Sequence, residues 1–297
     1  MSGIGRRPGW AWIFILEGLL TVVAGAVSFW AVHDFPIEAK FLTDKEKARV
    51  IHRLRQDNQS SAEHEAFDMF YLWSSLRDWK MWVGMAIYMG ATVPLYAFSI
   101  FLPSIIHDMG WSSSVISAQL YSVPPYVAAA ILTVVVGYLA DRFRTRGIFN
   151  LASSLIAASG FLMLLVSKSP AVKYTGTFLG AMGIYPCVSN TISWVANNVE
   201  GVYRRGIILG FVIGWGNLNG IVSSSIFFSP PDYAEGHGTL LAFLLVFLFG
   251  GSLLMTILLR LENKRRRHGQ RDYWAEGKTE AELKKLGDLT PTFIYTP

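Results

Sequence analysis

Seven long apolar runs alternate with polar segments along this chain: roughly Trp10–Val32, Lys80–Leu102, Ser114–Ala140, Ile148–Ser167, Ala171–Ser193, Gly206–Phe228 and Gly238–Arg260. A helix that crosses the hydrocarbon of a bilayer needs about 20 mostly apolar residues, so each run predicts one transmembrane helix. None shows the two-residue alternation of a membrane β-strand. The pattern therefore predicts an all-α integral membrane protein with seven transmembrane helices.

The polar segments are unequal. After the first run the chain stays polar for about 45 residues, the only long linker between apolar runs. Within it, Thr43-Asp44-Lys45-Glu46 has the order of a capping box, in which Thr43 satisfies an orphan amide and Glu46 reaches back. A helix is expected from Asp44 to about Gln56, with Ala48, Ile51 and Leu54 on one face and basic residues around the rest, as in a helix lying along a membrane surface. A hinge is expected from Asn58 to Glu65, followed by re-entry with Trp73, Trp79 and Trp82 as interfacial anchors. The tail after Arg260 is basic, then mixed in charge, and is expected to be poorly ordered. These boundaries divide the chain into residues 1–33, a linker 34–79, a helical bundle 80–260 and a tail 261–297.

Charge placement orients the helices. With the N-terminus outside, 22 of the 26 lysines and arginines fall on the inner side and only Arg6, Arg7, Lys168 and Lys173 on the outer. That is the positive-inside bias of membrane proteins, and it places the C-terminus in the cytoplasm. The net charge of +5 is accordingly read as topology and anionic-lipid contact, not as a nucleic-acid footprint. The sequon Asn58-Gln59-Ser60 then lies on the cytoplasmic side and is expected to carry no glycan. The single cysteine, Cys187, lies within an apolar run and has no partner for an intrachain disulfide.

Chemistry of the ordinary enzymatic kind finds no foothold. There is no phosphate-binding loop, no Gly-x-Ser-x-Gly elbow, no paired intramembrane carboxylate and no histidine pair at ligand spacing, so neither catalysis, a cofactor nor a metal is expected. Polar residues inside apolar runs are costly and carry the information. Glu17 is the one clear intramembrane acid, with a structural role and a proton or substrate role both open. The third run holds Gln119, Tyr121, Pro124-Pro125 and Tyr126, whose prolines release carbonyls that must face protein or water. The fifth holds Tyr185-Pro186 and Asn190, and the sixth Trp215, Asn217 and Asn219. Such a lining suits a polar organic ligand, although each residue alone also fits an interhelical hydrogen bond. Gly176 and Gly180, Gly210 and Gly214, and Gly216 and Gly220 stand four apart, the spacing that lets helices approach closely.

The loop after the third run carries Gly137, Asp141, Arg142, Arg144 and Arg146 in the order Gly-x-x-x-Asp-Arg-x-Arg-x-Arg, with Gly137 expected at a close helix contact. It resembles the signature loop of major facilitator superfamily transporters, in the copy between helices eight and nine. More narrowly, the chain is similar to fungal permeases of the anion:cation symporter family, the allantoate and nicotinate permease group. The residues that carry this are Gly9-Trp10-Ala11-Trp12-Ile13-Phe14-Ile15-Leu16-Glu17-Gly18-Leu19-Leu20, Val123-Pro124-Pro125-Tyr126, Gly183-Ile184-Tyr185-Pro186, Trp194-Val195-Ala196-Asn197-Asn198, Gly214-Trp215-Gly216-Asn217-Leu218 and Gly236-His237-Gly238. The resemblance implies a twelve-helix fold of which this chain holds helices six to twelve, and so a truncated, non-autonomous half. It also implies a central cavity lined by the second, third, fifth and sixth runs, which ranks Tyr96, Gln119, Tyr126, Tyr185, Asn190, Trp215 and Asn217 as candidates above the peripheral Glu17. Asp141 becomes part of a cytoplasmic gate whose counterpart lies in the missing half.

The expected function is proton-coupled, alternating-access transport of a small organic anion such as allantoate, nicotinate or a related carboxylate, with the plasma membrane as its usual address. The expected partners are that anion, the proton and the lipid bilayer. Two alternatives come from other classes. One is an accessory protein that pairs with a full-length permease. The other is a seven-helix receptor, disfavoured because Cys187 stands alone.

Overall fold

The structure is a computed structural model of the chain, and it describes residues 5, 8–32, 39–56, 68–110, 114–226, 234–279, 282–283 and 286–297. The expected hinge at 58–65 and the sequon at Asn58 lie outside the described residues, except for Asn58's place in the sequence itself. Two compact units, Met1–His64 and Glu65–Pro297, divide inside the expected linker.

The first unit holds two helices. Helix α1 (Gly9–Ala31) is apolar on every side and has no buried residue, the pattern of a helix that meets lipid or a partner rather than a private core. Helix α2 (Asp44–Gln56) begins at the expected capping box: the Thr43 amide donates to the Glu46 carboxylate at 2.9 Å, and the Glu46 amide to Thr43 Oγ1 at 3.4 Å. That exchange holds the Glu46 carboxyl below its ordinary value.

The second unit is a bundle of long helices joined by short turns. A short α3 (Met69–Leu76) is capped by Asp68, whose carboxylate accepts from the Phe70 amide at 2.9 Å. Asp78 caps α4 (Trp79–Asp108) in the same way, accepting from the Lys80 amide at 3.0 Å. A serine capping box, Ser114 with Ser117, opens α5 (Val115–Phe143), which ends on Arg144 in the left-handed region at φ 51°. Then follow α6 (Gly147–Val166), α7 (Pro170–Asn197), which starts on the proline that fits a first helical turn, and α8 (Val202–Ser224). The last span combines α9 (Ala234–Phe243), a π-helical stretch Leu244–Gly250 and α10 (Gly251–Arg267), so it runs to Arg267 rather than stopping at Arg260.

Six helices among the described residues are long and apolar enough to cross a membrane: Gly9–Ala31, Trp79–Asp108, Ile116–Phe143, Gly147–Val166, Val202–Ser224 and Ala234–Arg267. The run expected as a seventh span is also helical, α7 at 28 residues, but is not among the six. Its apolar character is diluted by polar residues that the bundle buries, Thr177, Asn190 and Thr191.

Backbone contact at glycine sets how closely the helices pack. A Cβ on Gly160 would stand 2.4 Å from the Gly180 amide nitrogen, and one on Gly183 would stand 2.3 Å from that of Ala157, so α6 and α7 touch main chain to main chain. Gly216 meets the Tyr88 ring, which a Cβ would approach to 2.1 Å. Gly90, whose carbonyl loses its helical donor to Pro94, lies against the π-helical stretch, where its Cβ would be 2.4 Å from the Leu248 nitrogen. Other expected contacts are absent among the described residues. Nothing lies within 4 Å of a Cβ on Gly137, Gly210, Gly214 or Gly220, so the close approach expected at the signature-loop glycine is not made among the described residues.

The tail corrects a second expectation. Its described C-terminal residues are not loose: Phe293 and Tyr295 are buried, and Asp288 has no exposed surface. A turn at Gly287–Leu289 returns the chain to the bundle, where Asn263 Nδ2 donates to the Tyr295 carbonyl and Asn263 Oδ1 accepts from its amide, both at 2.8 Å.

Candidate functional site

Polar side chains from α4, α5, α7 and α8 meet on one open face. The Tyr96 hydroxyl of α4 donates to Asn217 Oδ1 of α8 at 2.8 Å. One turn along α4, Ser99 Oγ lies 3.0 Å from the Tyr185 hydroxyl of α7. The Tyr126 ring of α5 stands edge-on to Tyr185, with centroids 5.7 Å apart, and edge-on to Phe98 at 6.4 Å. Tyr96, Tyr126 and Tyr185 are half-buried, whereas Ser99, Trp215 and Asn217 are exposed. Four helices thus present phenol, hydroxyl and amide groups whose apolar bodies are packed and whose polar tips remain accessible.

The remaining candidates fall elsewhere. Gln119 is exposed near the start of α5, where its carbonyl accepts from Ser122 Oγ at 2.7 Å. Asn190, five residues beyond Tyr185 on α7, is buried and bonds to the start of α6 instead of joining the face. It accepts from Arg146 Nη1 at 3.0 Å and donates to the Arg146 carbonyl at 2.9 Å and to Asn150 Oδ1 at 2.8 Å. Glu17 is exposed on α1. The proline pair behaves as its chemistry requires: Pro125 removes the donor for the Tyr121 carbonyl, and the Tyr174 hydroxyl of α7 supplies one at 3.0 Å.

The arginine loop divides its labour. Arg142 and Arg144 are exposed, while Arg146 is buried and bridges Asp141 to Asn190. Asp141 accepts from Arg146 of its own loop. At the same end of the bundle, the backbone oxygen of Pro297 accepts from the Arg146 and Gly147 amides at 3.0 and 3.4 Å, at the start of α6. Trp194 Nε1 and Asn198 Nδ2 both donate to the Thr296 carbonyl at 2.9 Å. Arg266 of α10 donates to the carbonyls of Asp288, Thr290 and Phe293 at 2.8 to 2.9 Å. The tail thereby straps together the ends of α5, α7 and α10 and the starts of α6, α4 and α8.

Under the strap lies a buried ion cluster. Lys80 Nζ stands 2.7 Å from Asp288 and 3.0 Å from Asp78, and Arg204 reaches the same two acids at 2.9 and 2.7 Å. Burial alone would raise the Asp288 carboxyl, but the Lys80 and Arg204 charges and their hydrogen bonds outweigh it and hold the group below its ordinary value. Burial, reinforced by Asp288, pushes the Tyr295 phenol up to about 12, against the pull of Lys80 and Arg266. Among the described residues no group of histidine, cysteine, aspartate and glutamate is arranged to hold a metal ion.

The profile of the Major Facilitator Superfamily matches residues 1–224, three quarters of the chain. The chain belongs to the major facilitator superfamily. Among its relatives, an uncharacterized transporter of Schizosaccharomyces pombe is 34% identical over 232 residues, which cover 78% of this chain and 47% of the relative. A second uncharacterized transporter of that yeast is 31% identical over 295 residues, covering 98% of this chain and 57% of the relative. The high-affinity nicotinic acid transporter of Saccharomyces cerevisiae is 28% identical over 294 residues, covering 98% and 54%. The chain thus spans about half the length of the curated relatives it matches. No solved structure matches it significantly. The superfamily and these relatives are transporters, not enzymes, and this is a multi-pass membrane protein.

Two features of this superfamily member escaped the sequence reading. Ser99 sits in an apolar stretch beside Phe98 and Ile100, with nothing to mark it as a partner of Tyr185. The cluster of Asp78, Lys80, Arg204 and Asp288 left a fainter signal: charges at, or two residues before, the first residues of two apolar runs, close to where hydrocarbon penalises them. Their partner Asp288 is 208 residues from Lys80, too far for any local pattern to join them.

Proposed function

We propose that this chain contributes to proton-coupled, alternating-access symport of a small organic anion of the allantoate or nicotinate kind, within the anion:cation symporter family. The observation that carries this reading is the open face of Tyr96, Ser99, Tyr126, Tyr185 and Asn217. Its hydroxyl and amide donors suit a planar carboxylate, and its rings suit a flat heterocycle. The similarity to a nicotinic acid transporter supports the substrate class. The topology proposed with it has seven spans, the N-terminus outside and the strapped, basic end of the bundle in the cytoplasm. The membrane would be the plasma membrane. Glu17, exposed on α1, is the one clear intramembrane acid, and its proton role is tested below against a structural one.

The chain purified into lipid nanodiscs should bind labelled nicotinate or allantoate saturably. Losing one donor to a carboxylate costs about 1.5–3 kcal/mol, so Tyr185→Phe and Asn217→Ala should each weaken binding about tenfold or more. Glu17→Gln should flatten the pH dependence while leaving binding at high pH in place. Binding that ignores Tyr185 and Asn217 would remove the face from the reading.

The exposed position of this face also favours a second reading, in which it pairs with a full-length permease. Co-purification with such a permease, lost when Tyr96 and Asn217 are both replaced by alanine, would separate that role from independent ligand binding.

A further inference from the structure

Beside the ion cluster, between α3, the start of α4 and the end of α10, lies a cavity of about 490 Å³ that the transport reading does not use. Arg77, Lys80, Arg204, Arg266 and Arg271 line it, against the acids Asp78 and Glu262. Even with Asp288 counted, which bonds Lys80 and Arg204 from behind, cations exceed acids by two. Arg204 is 4% exposed, and its terminal nitrogens are taken by Asp78 and Asp288, but its buried Nε has no hydrogen-bond partner. An excess of cations around one cavity calls for an anionic acceptor. Arg271 is held in place by Glu262 at 2.8 and 2.9 Å and lies 4.5 Å over the Trp274 ring, while Arg77 at the end of α3 is exposed.

The rim indicates where the acceptor comes from. Trp79, the first residue of the apolar helix α4, lines the same cavity with Trp73 of α3 and Trp274 of the turn after α10, and tryptophan favours the boundary between hydrocarbon and water. Met69, Phe70 and Trp73 of α3 expose large apolar surface beside it, so one side of the opening is apolar and the other cationic. A free anion in water has no use for the apolar side. A lipid uses both.

We propose that this cavity binds the phosphate headgroup of an anionic glycerophospholipid, with the phosphate between Arg77 and Arg271, the buried charge of Arg204 behind it, and the glycerol and upper acyl chains along α3 and the tryptophan rim. Because Arg204 and Arg266 also hold the tail, the bound lipid reinforces the strap. The site goes beyond the transport reading and stands whether or not nicotinate binds.

The test places the full chain in vesicles of phosphatidylcholine alone or of phosphatidylcholine with phosphatidylserine, and reads thermal stability and the lipid retained in native mass spectrometry. Wild type should melt higher with phosphatidylserine and keep one bound molecule. One basic residue near an anionic surface is worth about 1 kcal/mol, so Arg77→Gln and Arg271→Gln should each cut retention about fivefold. Arg142→Gln, an exposed arginine in the last turn of α5 outside the cavity lining, is the control and should leave lipid retention unchanged. Equal loss with Arg142→Gln would mean diffuse surface charge and would overturn the site. Inorganic phosphate added to phosphatidylcholine vesicles gives the other arm: if it reproduces the stabilisation and Arg77→Gln abolishes it, the ligand is a free anion and the lipid assignment fails. Arg77 is exposed, so its variant reports on the site even if Arg271→Gln folds poorly.

Discussion

Two aspartates at the same end of the bundle show how environment decides what a carboxylate is worth. Asp141 is bound by Arg146, but its side chain is 69% exposed, so water screens the pair. Asp288 has no exposed surface and faces both Lys80 and Arg204. Removing one partner of a buried ion pair typically costs about 3–5 kcal/mol, because it strands the other charge, whereas an exposed pair is worth about 0–1 kcal/mol. Asp288→Asn should therefore lower the melting temperature in detergent far more than Asp141→Asn, and equal shifts would contradict this account of the cluster. The comparison also separates stability from gating. If Asp141 serves a gate, its asparagine variant should lose transport while keeping nearly all of its stability. At this scale the sequence was partly legible: Tyr96, Tyr126, Tyr185 and Asn217 were marked as candidates and meet on one face. Asn190 was marked for the same reason and lies elsewhere, because a polar residue in an apolar run signals a buried hydrogen bond without saying which partner it has.

Among the elements, glycine spacing and the tail make opposite lessons. Glycines four apart occur in both α7 and α8, yet only some of them touch a neighbouring backbone. Spacing places glycines on one helix face, and the fold decides whether that face meets a helix or lipid. Gly183→Ala puts a methyl 2.3 Å from the Ala157 nitrogen and should cost about 1–3 kcal/mol by forcing α6 and α7 apart. Gly210→Ala meets nothing within 4 Å and should be neutral or raise stability by up to about 1 kcal/mol through helix propensity. Thermal unfolding of the two variants side by side checks the contrast. The tail was not legible because its composition is that of a solvated segment, and its contacts are made by its own main-chain carbonyls, which accept from side chains far away in sequence. Its pH response follows from two groups. The Asp288 carboxyl is held below its ordinary 3.8, so its contribution is full above that value and is lost only as the pH falls below it. The Tyr295 phenol is raised from 10.0 to about 12, so its contribution is full below 10 and is lost as the pH rises through 12. Limited proteolysis should find the tail equally protected from about pH 5 to about pH 9, and cleavage that rises within that window would show that other groups control docking.

For the whole molecule, the helix starts and ends gathered by the strap turn a charge count into a geometric statement. Lys80, Arg146, Arg204 and Arg266 come from four different helix ends, yet the tail and its acids join all of them at one end of the bundle. That is what an up-and-down arrangement of α4, α5, α6, α7, α8 and the α9–α10 rod requires, with α7 running back along the bundle between α6 and α8. The family and the helical class were therefore legible from run lengths and the arginine loop, while the assembly of that end was not. The orientation it implies is open to a direct test, because the chain supplies its own silent background. Cys187 is its single cysteine and is buried, so a membrane-impermeant maleimide should leave the wild-type protein unlabelled in intact cells. Lys168 is exposed in the turn between α6 and α7, at the opposite end of α6 from Arg146. With the strapped end in the cytoplasm, Lys168→Cys should label in intact cells. Arg144→Cys, exposed in the arginine loop, should label only after permeabilisation. The reverse result would invert the molecule and place the strap outside. Labelling of both in intact cells would mean that α6 does not cross the membrane, and the up-and-down arrangement would fall with it.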